Sequence, residues 1–296
     1  DGSYILVANQ NGKRLERVDS DFTAGRFTHN AEATLDLATC TTPSGKPCQA
    51  AELRPDNAPI CPVLSEAGDR AFVTLRGGGM LVVDPRTTPM RIVAEYDMKT
   101  IHGNGCGGLQ LGDNLYVNSG GRPGPMEHLH LYGFDVYRFR LGEFRAGTAP
   151  TVNEPPAKVV YQVDGAHDSH GMVLAGDEDR YLWVFDRHAD TAEVFATADD
   201  RHAGTIALNG SLTQNAAPDL SDESPGGDRV FVALRGPTPL SGDPHNARGA
   251  TPGLGVIQVT EDGRNGKLTG IVRFTNVGPD GVERADPHGL RVRRLD

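Results

Sequence analysis

DGAHDSHGMVLAGDEDRYLWVFD, residues Asp164 to Asp186, carries the pattern from which the rest of this 296-residue chain is read. A polar loop leads through His170-Gly171 into a short apolar run. Small and acidic residues then turn the chain back into Tyr181–Phe185. Apolar and aromatic runs of this length, bounded by Gly and Asp, read as two strands joined by a tight turn. The same template returns as APICPVLSEAGDRAFVTLRG (Ala58–Gly77) and APDLSDESPGGDRVFVALRG (Ala217–Gly236). These two align without a gap, from Asp69-Arg70 with Asp228-Arg229 to Leu75-Arg76-Gly77 with Leu234-Arg235-Gly236. Asp179-Arg180 occupies the turn of the first copy quoted.

Each copy continues into two further strand-like runs rich in Val, Ile, Tyr, Phe and Leu. Internal repetition of a four-strand unit predicts an all-β propeller. The count is five four-stranded blades, with six or seven left open: residues 286–296 joined to 1–37, then 58–97, 102–163, 168–208 and 217–275. Loop inserts fall at 38–57, 119–129 and 237–253, and the whole of 1–296 reads as one domain. The chain ends in ADPHGLRVRRLD, a single strand after His-Gly, and begins with DGSYILVANQNGKRLERVD, which lacks a first strand. Pairing these ends in one blade would close the ring and leave no open sheet edge. A helical or sandwich fold is the rival; helical periodicity is absent, and a sandwich does not explain why the two ends complete each other.

The phrases YILVANQNGK, RAFVTLRGGGMLVVD and DPHGLRVRRLD resemble the secreted YVTN-type β-propeller repeat proteins over nearly the whole length. That resemblance implies the fold and little about function, since the group hosts enzymes, metal-handling proteins and binding modules. Its members usually have six to eight blades, so five is a departure.

Composition narrows the partners. A formal charge of -10 disfavours nucleic acid and anionic membranes. No apolar run reaches the roughly 18 residues needed to cross a bilayer. The expected partner is a small molecule, and the chain is expected to be a monomer. Four cysteines without a Cys-x-x-Cys pair point to disulfides and to a secreted or periplasmic protein whose signal peptide has been removed.

Propeller geometry places the loops leading into first strands and those leaving second strands on one face. His102, His170 and His288 lie in the former, with Asp168, Asp219 and Asp286. Asn9, Arg76, Asn118, His188 and Arg235 lie in the latter. The long inserts, with His128 and His245, leave from the same face, with His130 starting the strand that follows the first of them, and long loops often cover sites. Three imidazoles with Asp219 could hold a divalent metal (Zn, Cu or Ca) and keep a coordination position open. Otherwise His-Gly is only a turn and there is no cofactor. Arg76 and Arg235 could grip an anionic ligand, or tie their loops to an Asp of the next blade. Asn9, Asn118, His188, Asp168 and Asp286 complete the expected ligand contacts. No Gly-x-Ser-x-Gly elbow is present. With Cys61 and Cys106 opening the first strands of adjacent blades, a Cys61–Cys106 bridge is natural, leaving Cys40–Cys48. The alternative makes Cys61 or Cys106 a thiolate beside His102.

The expectation is therefore a secreted propeller that binds a small polar or anionic ligand at its tunnel mouth, through a His-held metal or without one. A metal-dependent hydrolase or lyase of the lactone or ester type is one alternative. A non-catalytic metal carrier or interaction platform of the cell envelope is another.

Overall fold

A computed structural model describes residues 2–121, 132–238 and 248–293. Five antiparallel sheets account for the strands. The first holds β1 (Tyr4–Asn9), β2 (Arg14–Asp21) and β3 (Arg26–Asp36). The second holds β4 (Pro59–Leu64), β5 (Ala71–Leu75), β6 (Met80–Asp84) and β7 (Arg91–Tyr96). The third holds β8 (Gly108–Leu111), β9 (Asn114–Gly121), β10 (Tyr132–Arg140) and β11 (Lys158–Asp164). The fourth holds β12 (Ser169–Ala175), β13 (Tyr181–Asp186), β14 (Thr191–Ala196) and β15 (Arg201–Ala207). The fifth holds β16 (Pro218–Glu223), β17 (Arg229–Leu234), β18 (Gly253–Thr260) and β19 (Asn265–Arg273). In each, strands neighbour one another in chain order, as in propeller blades. One helical turn, Leu141–Phe144, follows β10.

The described residues divide into two compact units. One takes everything up to Gly121 together with Asp135–Val159; the other takes Tyr132–Phe134 and everything from Val160 on. In the first unit β5 shows why the short apolar runs are strands. All of Ala71–Leu75 is buried, and alternation sends Ala71, Val73 and Leu75 into one core and Phe72 into another. Leu15, Leu35 and Ile92 complete the former core; Tyr96, Tyr137 and Phe139 complete the latter. The second unit has a core around Trp183, Phe185, Val194, Val230, Leu234 and Ile257. The Trp183 indole N–H, which burial would otherwise strand, donates to the Gly263 carbonyl at 2.7 Å.

The expected closing strand is not formed among the described residues. β1 pairs with β2 alone, and 286–293 contains no strand. The reason lies in that segment's own polar groups. Asp286 binds Arg235, the His288 carbonyl accepts the Leu220 N–H, and Asp222 accepts the Val292 N–H and pairs with Arg291. These contacts fix the segment beside β16 in the second unit.

Both disulfides follow the expected pairing, Cys40–Cys48 and Cys61–Cys106, so neither Cys61 nor Cys106 is a free thiolate. Of the inserts, 38–57 is described. Most of 119–129 and the middle of 237–253, with His128, His130 and His245, lie outside the described residues. Among the described residues no helix is long and apolar enough to cross a membrane.

A candidate histidine–carboxylate site

Three first strands carry the same irregularity. The register shifts between Pro59 and Pro62 in β4, between Ser169 and Met172 in β12, and between Pro218 and Ser221 in β16. A β-bulge re-aims the side chains it contains, and these bulges contain His170 and Asp219. Two glycines then bring the neighbouring backbones in. A Cβ on Gly171 would stand 2.1 Å from the Asp219 carbonyl oxygen, so only glycine lets β12 lie this close to β16. A Cβ on Gly236 would stand 1.9 Å from the Ala285 carbonyl oxygen, just before Asp286.

Asp219 is the centre of the result, with no exposed surface. Its Oδ2 accepts from Arg235 Nη1 at 2.7 Å, from His288 Nδ1 at 2.8 Å and, longer, from Arg187 Nη1 at 3.4 Å. Arg235 also grips Asp286 with two bonds, Nε and Nη2 each at 2.7 Å. Arg187 Nε donates to Asp168 Oδ2 at 2.6 Å. His170 Nε2 lies 3.1 Å from Asp219 Oδ1, but outside hydrogen-bonding geometry. Asp168 Oδ1 and Asp219 Oδ1 are buried without a hydrogen bond.

Burial dominates the proton affinities. It drives His170 down to about 4, helped by the Arg187 charge, so this imidazole is neutral. It pushes Asp168 up to about 6 against the pull of Arg187. Burial also pushes Asp219 up, but His170, Arg187 and the bond from His288 outweigh it and hold that carboxyl well below its usual range. Three carboxylates (Asp168, Asp219, Asp286) against two guanidiniums (Arg187, Arg235) leave one negative charge when both imidazoles are neutral. His288 is the member in contact with solvent, its side chain 43% exposed.

Among the described residues, His170, Asp219 and His288 also form a group whose ligand atoms lie within 4.8 Å of one another, a site of the size an ion needs. One feature fits an ion: Asp219 Oδ1 is buried, carries a lone pair that takes no hydrogen bond, and has a neutral imidazole beside it. Another opposes it. Arg235 Nη1 stands 3.1 Å from His288 Nδ1, so a divalent ion on that nitrogen would meet a guanidinium.

The other expected residues have separate fates. His102 is outside this group: its Nδ1 is 2.8 Å from Asp135 and its backbone N–H donates to the Tyr137 hydroxyl, both in the first unit. The group described in the second unit holds two imidazoles, His170 and His288. Arg235 and Asp286 serve each other, and Asp168 serves Arg187, which removes Arg235 as the expected grip on an anion. Arg76, in the first unit, is half-buried and forms no ion pair among the described residues. Asn9 holds its own turn, accepting from Gly12 and donating to Glu16. Asn118 is buried and accepts the Gly107 N–H. His188 is half-buried, and its backbone N–H is capped by Asp186.

The sequence reasoning placed Asp186-Arg187 in an exit loop on the same face without giving either a role, and passed over His167. In the repeat template Asp186 occupies the position of Arg76 and Arg235, so the guanidinium at this corner comes one residue later. His167 Nδ1 lies 2.6 Å from Asp186 Oδ2. That bond raises the His167 proton affinity, against burial.

The fold and site together define a propeller-type all-β protein with a histidine braced by buried ion pairs. No protein-family model matches the sequence, and no curated protein matches it. Solved structures do resemble it. A periplasmic gluconolactonase of Pseudomonas aeruginosa aligns with a TM-score of 0.58 at 12% identity, covering 94% of this chain and 73% of that one. A functionally unknown protein of Desulfotomaculum acetoxidans gives 0.56 at 14%, covering 94% and 70%. Hydrazine synthase of Kuenenia stuttgartiensis gives 0.52 at 14%, covering 93% and 64%. Likeness at this identity carries the fold alone, and the bearers of this fold differ in what they do.

Proposed function

We propose that the second unit binds a small polar ligand at the Asp219 cluster and opens a lactone or ester bond in it, with His288 as the proton carrier. The observation that supports this is a solvent-facing imidazole whose Nδ1 is fixed by a fully buried carboxylate. A carboxylate on one ring nitrogen sets the tautomer and leaves the other nitrogen basic. Water would form the new C–O bond to the carbonyl carbon and pass one proton to His288. The ring C–O bond then breaks, and the departing oxygen takes that proton back. Lactones are the first class to test because a gluconolactonase shares the fold. With Arg235 committed inward, the ligand is polar rather than anionic.

Five blades of one YVTN-type ring, a monomeric state and secretion into an oxidising compartment belong to the same proposal. The two disulfides support the last of these. A panel of lactones and esters tests the reaction: turnover that His288→Ala lowers by about 10²–10⁴-fold is expected. No turnover on any member, or turnover indifferent to that substitution, rejects it.

A second reading rests on the bare Asp219 Oδ1 lone pair. A divalent ion held by Asp219, His170 and His288 would polarise the carbonyl. Elemental analysis of protein purified without chelator separates the two: stoichiometric metal lost in His170→Ala supports the ion, and its absence supports the proton carrier.

A further inference from the structure

Two partly exposed imidazoles are joined by an unbroken line of buried charged groups. His167, its side chain 35% exposed, meets Asp186 Oδ2 at 2.6 Å. Asp186 Oδ1 accepts the Asp168 backbone N–H at 2.9 Å and those of His188 and Ala189 at 3.0 Å each. Asp168 binds Arg187, whose backbone N–H donates back to the Asp168 carbonyl at 3.0 Å. Arg187 reaches Asp219, and Asp219 holds His288. Asp186, Asp168, Arg187 and Asp219 are each buried. Nothing in the reaction proposed above uses His167, yet its carboxylate partner is as thoroughly organised as Asp219.

We propose that His167 is a positioning residue for this site: through Asp186 it fixes the loop that sets Asp168 and Arg187, and through them the alignment of Asp219 with His288. This inference rests on the reading of His288 as the proton carrier.

Asp186 is a buried carboxylate whose Oδ2 is held by His167. Without the imidazole Oδ2 loses its partner, and Asp186 can turn away from the backbone N–H groups of Asp168, His188 and Ala189 that its Oδ1 holds. The loop that carries Asp168 and Arg187 would then shift, and the Arg187 guanidinium with it, relative to Asp219. The oxygen that orients His288 would be shared differently. Because the effect travels through hydrogen bonds to one atom of the ring, an amide that reproduces the Nδ1–H donor should preserve it.

The test uses the full chain and three variants, His167→Ala, His167→Asn and Asp186→Asn. Asparagine places a donor close to the position of Nδ1, so His167→Asn is the rescue. Two readouts are taken: the carbon-bound ring proton resonances of His288 by NMR, assigned by comparison with His288→Ala, and kcat and KM on whichever lactone turns over. The expected result is that His167→Ala and Asp186→Asn move the His288 resonances and lower kcat about tenfold or more with KM little changed, while His167→Asn restores both. An unmoved His288 resonance in folded His167→Ala overturns the proposal, as does His167→Asn behaving like His167→Ala. If the wild type turns over no lactone, the functional reading fails and the NMR arm still decides the link.

Discussion

Asp219 carries more of the site than any other side chain, and replacing it separates the stability of the cluster from its chemistry. Asp219→Asn keeps the shape but removes the charge that Arg187 and Arg235 share. Breaking a buried pair on one side leaves an uncompensated charge at a cost of about 3–5 kcal/mol. A drop of that size in the urea unfolding free energy is expected, and one below about 1 kcal/mol would mean the guanidiniums find other partners. His288→Ala, at a part-exposed position, should change the same quantity by less than about 1 kcal/mol while removing activity. At this scale the sequence was partly legible. His170, Asp219 and His288 could be grouped because all three precede or enter first strands. His102 shared that placement, but its Asp135 partner lies 33 residues away on another strand, and nothing local announces it. Arg187, seen only as part of an exit loop, was given no role because it is offset by one position from Arg76 and Arg235 in the repeat.

Among the elements, β12 and β16 decide the site because they are held closer than side chains allow. Gly171→Ala puts a methyl group against the Asp219 carbonyl oxygen, where real Cβ atoms do not fit. The strands must part, and the expected cost is about 1–3 kcal/mol. The functional cost should exceed that of a neutral surface change, since His170 and Asp219 move with their backbones; unchanged stability and turnover would show that the two strands part freely. The repeat could be read to within a residue or two at most strand ends, because apolar runs and Gly-Asp turns are local signals. That no closing strand forms among the described residues was not readable, because Asp222, Arg291 and Val292 meet across about 70 residues of chain. The disulfides give a second element-scale prediction. Cys61–Cys106 closes a separation of 45 residues and Cys40–Cys48 one of 8. Loop-closure entropy makes the former worth about 4 kcal/mol and the latter about 2.5 kcal/mol. Unfolding of Cys61→Ala/Cys106→Ala and Cys40→Ala/Cys48→Ala should follow that order, and the reverse order would reject the entropic account for this chain.

For the molecule as a whole, buried charge makes stability depend on pH in a way that two variants can separate. His170 is a base whose folded affinity is depressed to about 4 from an ordinary 6.5. Between these values the unfolded chain takes the proton and the folded one does not. Its contribution is therefore present above pH 6.5 and lost as pH falls toward 4. Asp168 is an acid raised to about 6 from 3.8. Here the folded chain holds the proton where the unfolded one does not, so the contribution is complete below 3.8 and lost as pH rises through 6. Across pH 4 to 6 the two oppose each other, each with a slope approaching about 1.4 kcal/mol per pH unit. Asp219, held well below 3.8, does not titrate in this window. Relative to wild type, His170→Gln should gain stability as the pH falls from 6 to 4, because only the Asp168 contribution remains. Asp168→Asn should lose it over the same range. Urea unfolding at three pH values in that window reads the slopes directly, whatever offset each substitution adds at a fixed pH. Both variants tilting the same way would mean that the buried charges around Asp219 do not exchange a proton as their surroundings require.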